Sequence, residues 1–491
     1  MNDTIIVGGS DSQLVTQLGR MSNRHGLIAG ATGTGKTVTL QILAEGFSRL
    51  GVPVFAADIK GDLSGISQGG KSHPEIDRRL AAIPIEGYQP RGYPTLFFDI
   101  YAENGHPART TISEMGPLIL ANLLELNDTQ TGVLYACFAI ADDEGLLLLD
   151  LKDLRSMLSW MSKHRADLQA TYGNIAPASI GAIQRRLLVL EEQGADRFFG
   201  EPALQITDLM QHDFGGNGVI SLLSADRLIR ESPRLYAAFL MWLLSELFEE
   251  LPECGDLPAP KLVLFFDEAH LLFKNMPKSL LEKIEQVVRL VRSKGVGVFF
   301  VTQSPLDLPE TVLGQLGMKV QHTLRAFTPS DQKSVRAVAK GFRSDGAFDV
   351  AEVMTSMGVG EALVSTLDNE GAPTSVRRTL IRPPESQIGP IDATTRATVL
   401  ERSPLKGKYK QAMDRSSAYE LLAERAAAAA KRQAEIEKRE ADEKAARRTS
   451  KRSTGRRRQS VGEALLKSAA RSVGSSLGRQ LIRGVLGSLL K

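Results

Sequence analysis

Residues 30–37 read Gly30-Ala31-Thr32-Gly33-Thr34-Gly35-Lys36-Thr37, the complete pattern G-x-x-x-x-G-K-[ST]. The stretch follows a short apolar run, Gly26 to Ala29, and precedes a helix-compatible run from Val38 to Leu50. That strand–loop–helix setting gives the pattern its chemical meaning. Glycines let consecutive backbone N–H groups close around phosphate oxygens, and the following helix adds the partial positive charge of its N-terminus. Lys36 is then placed for the β- and γ-phosphates, and the Thr37 hydroxyl for Mg²⁺. The expected nucleotide-binding residues are therefore Gly30, Ala31, Thr32, Gly33, Thr34, Gly35, Lys36 and Thr37.

A second segment, Lys261 to His270, reads KLVLFFDEAH. Its continuous apolar run fits a strand buried on both faces of a parallel sheet. Two acids end it, where open α/β sheets bind ligands. Asp267 is expected in the magnesium shell beside Thr37, and Glu268 is expected to polarise the attacking water. A third run, Val296 to Gln303, also ends polar, and Gln303 is placed to sense a γ-phosphate or orient water. The expected cofactors are ATP and Mg²⁺.

Of the 491 residues, 42% are hydrophobic and 24% charged, enough for a large core and more than one domain. The two cysteines, Cys137 and Cys254, exclude a disulfide framework. No apolar run approaches 18 residues and the start is polar, so a cytoplasmic protein without a transmembrane segment is expected. Residues 391–491 carry 24 Lys and Arg against 11 Asp and Glu, whereas the rest of the chain is net acidic. Any nonspecific pull toward polyanions thus resides mainly in the tail.

The chain divides into four regions. Residues 1–103 open an α/β layer, with strands at Val52–Asp58 and Thr95–Ile100 after the loop strand. Residues 104–215 form a mostly helical insertion with leucine-rich stretches at Leu118–Leu126, Leu146–Leu158 and Ile180–Leu190. Residues 216–390 return to α/β, with strands near Val219–Leu223, Lys261–Asp267, Val296–Gln303, Met318–Leu324 and Ala362–Leu367, closed by Pro383-Pro384. Residues 391–491 are a charged tail: an Ala/Glu/Lys/Arg helix over 416–446, a basic hinge over 447–458, and an amphipathic pattern over 461–490 suited to a protein partner or an anionic membrane surface. The fold class is α/β, a RecA-like P-loop sheet with helices on both faces, a helical insertion and a basic helical tail.

The P-loop, the FFDEAH strand, the segment Arg289-Leu290-Val291-Arg292-Ser293-Lys294-Gly295 and the VTQSP continuation together resemble the HerA/FtsK superfamily of hexameric DNA-pumping ATPases. The nearer likeness is to the bacterial HerA-like group, with its Asp58-Ile59-Lys60-Gly61-Asp62 segment and a block over 315–329. The resemblance implies a homo-oligomer, with six subunits the family expectation, acting on double-stranded DNA. It implies roles for Lys36, Thr37, Asp267, Glu268 and Gln303 as above. It also implies an arginine reaching into a neighbouring subunit's site, matched best by Arg292, with Arg289 and Arg325 as rivals. Asp58, Lys60 and Asp62 would lie at the adjacent strand end. With the P-loop at residue 30 there is no room for the N-terminal β-barrel of HerA-type translocases, so a nuclease-coupled role is not expected. The letters DEAH lack a downstream arginine-rich helicase motif. The core shows no basic, aromatic-interleaved patch, so an ATP-switched scaffold whose tail recruits a partner stands as the alternative to a DNA motor.

Overall fold

The computed structural model describes residues 3–10, 13–255, 257–274 and 278–450. The amphipathic pattern over 461–490 lies outside them, as does most of the basic hinge. Contacts divide the chain into two units, Met1–Leu422 and Ala423–Lys491. In the second, the described residues continue the helix Ala418–Ser450.

The described residues of the first unit hold one twelve-stranded sheet. Its strands are β1 (Thr4–Ser10), β2 (Gln13–Leu18), β3 (Gly26–Ala29), β4 (Val54–Asp58), β5 (Thr95–Asp99) and β6 (His106–Pro107), followed by β7 (Ile220–Ser224), β8 (Leu262–Phe266), β9 (Val296–Thr302), β10 (Met318–His322), β11 (Glu361–Ser365) and β12 (Arg377–Ile381). The spatial order is β2-β1-β12-β11-β10-β3-β9-β8-β4-β7-β5-β6. From β10 to β6 every pairing is parallel; from β10 to β2 every pairing is antiparallel. The sequence patterns point to β11 on the antiparallel side but not to β1, β2 or β12, nor to the short edge strand β6. β1 ends in Gly8-Gly9-Ser10 and β12 begins with two exposed arginines, so neither carries the continuous apolar run of a central strand.

Successive side chains on a strand point to opposite faces, and in the central strands β3, β9, β8 and β4 both faces are buried. On one face Phe265 and Phe299 meet Phe47 of helix α1 (Lys36–Arg49), with ring centroids 6.3 and 5.6 Å from Phe47. On the other, Phe266 and Phe300 join a core completed by the helices Pro233–Glu250 and Lys278–Val291. Beyond α2 (Pro74–Ala82), four long helices follow one another between β6 and β7, α3 (Ile112–Leu123), α4 (Asp128–Asp143), α5 (Leu151–Tyr172) and α6 (Pro177–Glu192), and a single turn, Ala195–Phe198, comes after them.

The compact unit continues about 30 residues past the expected boundary at 390, because specific contacts hold that stretch. His106 Nε2 lies 2.7 Å from Ser403 Oγ, Lys408 pairs with Asp208 at 2.7 Å, and the buried Tyr409 also hydrogen-bonds Asp208. Ala418 N donates to Leu147 O at 2.9 Å.

The segment after β12 is tied to α1 by a fully buried ion pair, Arg382 Nη2 to Glu45 Oε2 at 2.8 Å. Glu45 also accepts from the N–H of Glu385 (3.1 Å), the N–H of Ser386 (2.9 Å) and the Ser386 hydroxyl (2.6 Å). Arg382→Met leaves that carboxylate buried without its cation, so urea unfolding should show a loss of about 3–5 kcal/mol. The double variant with Glu45→Gln should recover part of it. An unchanged midpoint in the single variant would show that the pair contributes nothing to the fold.

Candidate functional site

β3 runs directly into the glycine loop. Gly30, Gly33 and Gly35 have φ of 153°, 81° and 112°, in the region that favours glycine. Gly30 has a second constraint: a Cβ there would lie 2.5 Å from the Cβ of His322. The loop is pinned on both sides, Ala31 N donating to Thr323 O (2.9 Å) and Gly360 N to Thr34 O (3.0 Å). Among the described residues, the N–H groups of Gly33, Gly35 and Lys36 donate to no backbone carbonyl. They ring the start of α1, whose first amides are unsatisfied within the helix. Lys36 turns its ammonium into this ring, donating to Gly30 O at 2.6 Å and Ala31 O at 3.1 Å. Burial, and after it the Lys60 charge, hold Lys36 below an ordinary lysine.

His322, at the end of β10, lies behind the loop. It is fully buried with Nε2 2.8 Å from Thr39 Oγ1. Burial and then the Lys36 charge push its pKa down to about 4, so it packs neutral against a cation. The block over 315–329 contains it, but nothing in its sequence surroundings marks this role.

Asp267 and Glu268 follow β8, one strand beyond β9. Asp267 Oδ1 accepts the Glu268 N–H at 2.9 Å, and its carbonyl accepts the buried Tyr236 hydroxyl at 2.8 Å. Burial and the Glu268 carboxylate push Asp267 up to about 6, against the pull of Lys60 and Lys36. Glu268 has φ 47°, a left-handed conformation costing a non-glycine residue on the order of 1–3 kcal/mol. Its carboxylate lies 3.2 Å from His270 Nδ1. Beside β8, β4 ends in Asp58, and the segment 58–62 brings Lys60 and Asp62 to the same edge. Thr37 hydrogen-bonds Asp62 through its hydroxyl.

Of the other expected residues, two share this edge and Arg292 does not. Gln303 is exposed just past β9 at this edge. Arg292 is exposed ahead of β9, at the opposite edge of the sheet. There it lines a cavity of about 690 Å³ with Arg24, Arg289, Lys319, Lys340 and Arg343. Arg325 lies just past β10, on the loop edge. A separate cavity of about 630 Å³ adjoins the loop, lined by Gly35, Val38, Arg79, Gly360, Pro383 and Ile388 among others.

The donor set fits a nucleotide with Mg²⁺. Among the described residues no group of three or more His, Cys, Asp or Glu side chains could hold a metal by itself. Mg²⁺, however, usually takes only one or two protein oxygens alongside phosphate and water.

A glycine loop opening a helix at the carboxyl edge of a parallel sheet, with paired acids one strand beyond the intervening β9, defines a P-loop ATPase. The helicase HerA-like C-terminal family model matches residues 3–491, and the chain belongs to that family. It is 32% identical over 139 residues to a probable helicase of Methanocaldococcus jannaschii, covering 27% of this chain and 25% of that protein. It is 31% identical over 99 residues to the DNA double-strand break repair helicase HerA of Sulfolobus acidocaldarius, covering 20% and 19%. The matched segments thus span a quarter or less of these relatives. The fold is shared with the bacterial conjugative coupling protein TrwBΔN70 (TM-score 0.51, 15% identity, 78% of this chain and 91% of that one). It is shared too with VirB4 of Thermoanaerobacter pseudethanolicus (0.51, 16%, 78% and 97%). A third such structure is TrwB in complex with ADP and Mg²⁺ (0.50, 15%, 81% and 88%).

Asp58 offers a test of the edge's electrostatics. Burial, then the nearby Asp62, push its pKa up to about 7, above the unfolded value near 3.8. The folded state therefore binds more protons between those values, and stability falls as pH rises through that window. In nucleotide-free protein, the unfolding free energy of wild type relative to Asp58→Asn should fall by up to about 3 kcal/mol between pH 5 and pH 8. Parallel pH profiles of the two proteins would refute the assignment.

Proposed function

We propose that this chain hydrolyses ATP with Mg²⁺ and works as a ring motor, six subunits being the family expectation, that moves on double-stranded DNA. The observation that carries the reading is the meeting of the loop amides and Lys36 with Asp267 and Glu268 at one sheet edge. In this reading Gly30 to Thr37 cradle the phosphates, and the cavity beside Gly35 receives the nucleoside. Thr37 and Asp267 would hold Mg²⁺, which when bound neutralises phosphate charge. Glu268, fixed by its left-handed backbone, polarises the attacking water, and Gln303 senses the terminal phosphate. Arg292 lies at the edge remote from its own loop, so it serves a neighbouring subunit, where it stabilises charge developing in the transition state.

The helices over 104–215 are read as an insertion within the ATPase body, and the region from 391 onward as the accessory part through which a protein partner binds. Among the described residues no helix is long and apolar enough to cross a membrane, which supports a cytoplasmic location. The DNA assignment draws on the HerA relative named above, whose own description is a DNA repair helicase.

Steady-state ATP hydrolysis by the full chain, with and without long double-stranded DNA at two salt concentrations, tests the whole reading. Salt-sensitive stimulation of several-fold is expected, since phosphate contacts weaken steeply with salt. A flat response with basal turnover intact would replace the DNA motor by an ATP-switched scaffold. Lys36→Ala should abolish turnover; wild-type rates in that variant would end the ATPase assignment. Arg292→Ala should keep nucleotide binding and lose on the order of a thousandfold in turnover, with partial rescue on mixing with Glu268→Gln subunits. Unchanged turnover in Arg292→Ala would remove it from the site.

A further inference from the structure

β4 and β8 pair in parallel register, Ala56 beside Phe265. Two residues further along each strand, Asp58 is the lateral neighbour of Asp267. Beyond Asp58 the chain folds into a well-anchored loop. Asp58 is 4% exposed, and its Oδ2 accepts the Leu63 N–H at 3.2 Å. Gly61 turns the chain at φ 72°, and its carbonyl accepts the Ser64 hydroxyl at 3.2 Å. Leu63 and Ile66 are then driven into the core. The loop therefore holds Lys60 and Asp62 at fixed positions over the edge.

Two features of these residues have no use in the fold. The exposed Lys60 forms no ion pair among the described residues, yet its charge reaches Lys36, Asp62 and Asp267. Asp62 and Asp267 offset part of the repulsion between Lys60 and Lys36, and a phosphate between the two ammoniums would offset the rest. Asp62 accepts a hydrogen bond from the Thr37 hydroxyl. A hydroxyl that presents a lone pair to a cation needs an acceptor for its proton, and such outer partners fix the orientation of metal-binding groups.

Resting on the nucleotide reading above, we propose that the 58–62 loop is a second phosphate arm. Lys60 contacts the terminal phosphate of a bound nucleoside triphosphate from the side opposite Lys36. Asp62 is a positioning residue that aims the Thr37 oxygen toward Mg²⁺. The arm distinguishes triphosphate from diphosphate, because Lys60 reaches the terminal phosphate and not the inner two.

Calorimetric binding of a non-hydrolysable ATP analogue and of ADP to the full chain tests this. Lys60→Ala should weaken the ATP analogue tenfold or more and ADP less than twofold, and Lys60→Arg should restore most of the difference. Equal weakening of both nucleotides, or of neither, overturns the arm. Asp62→Asn should raise the Mg²⁺ concentration for half-maximal binding of the analogue several-fold; an unchanged requirement removes Asp62 from its role. Lys36→Ala is the control that separates the two readings. If it weakens both nucleotides while Lys60→Ala weakens neither, only the arm fails. If neither variant affects binding, the nucleotide site itself fails.

Discussion

Strands β3, β9, β8 and β4 lie side by side in parallel register, each held by backbone hydrogen bonds to the next. Parallel pairing brings all four carboxyl ends to one edge, and burial on both faces prevents any strand from slipping. The register is locked by packing as much as by hydrogen bonds. Phe265 and Phe299 pack with tilted rings 5.1 Å apart and press on Phe47, while Phe266 and Phe300 face the opposite core. A shift of one residue in β8 would turn Phe265 to the wrong layer and carry Asp267 with it. The aromatic pairs thus set the position of the acidic pair.

The site assembled there is electrostatically unfavourable on its own. Two lysines and several carboxylates share a small, partly desolvated region, and the buried groups among them move off their ordinary pKa values. Glu268 adds backbone strain. Strain and like charges persist only where surrounding structure over-determines them. Here that structure is the Tyr236 hydroxyl on the Asp267 carbonyl, the loop closure by Asp58, and α1, anchored toward its far end by Glu45 and Arg382. A polyphosphate with a divalent cation has the charge pattern that relieves the crowding, which is the physical reason for reading the edge as a nucleotide site.

The central strands are legible in the sequence because burial on both faces writes itself as an unbroken apolar run, as in Leu262 to Phe266. The loop is legible because backbone closure around phosphate demands glycine at fixed spacing. The antiparallel side is less so. β12 shows arginines to solvent, and β1 spends part of its length on glycines, one of which, Gly8, lies against the Leu380 backbone too closely for any Cβ. The extent of the compact unit is not legible either. Residues 391–422 are held by polar contacts such as Lys408 to Asp208 and by single buried apolar residues such as Leu405 and Leu422, too widely spaced to leave a periodic trace. Pairings such as Arg382 with Glu45, 337 residues apart, cannot be read from either local sequence.

If Arg292 serves a phosphate site, as proposed above, its placement constrains assembly. A strand passes from one edge of the sheet to the other, so a residue entering β9 and the loop leaving β3 are separated by the sheet's own width. No side-chain rotation within one chain closes that gap. An arginine there meets a phosphate-binding loop only if the amino edge of one copy faces the carboxyl edge of the next. Such a contact uses two different surfaces, and a contact of that kind repeats until it closes a ring or runs on as a filament. The cations that share its cavity, Arg24, Arg289, Lys319, Lys340 and Arg343, make this edge basic, whereas the acids Asp58, Asp62, Asp267 and Glu268 gather among the lysines of the other. In the proposed ring, where Arg292 serves a neighbouring subunit, the polarity of the parallel sheet therefore calls for a head-to-tail contact rather than a two-fold one.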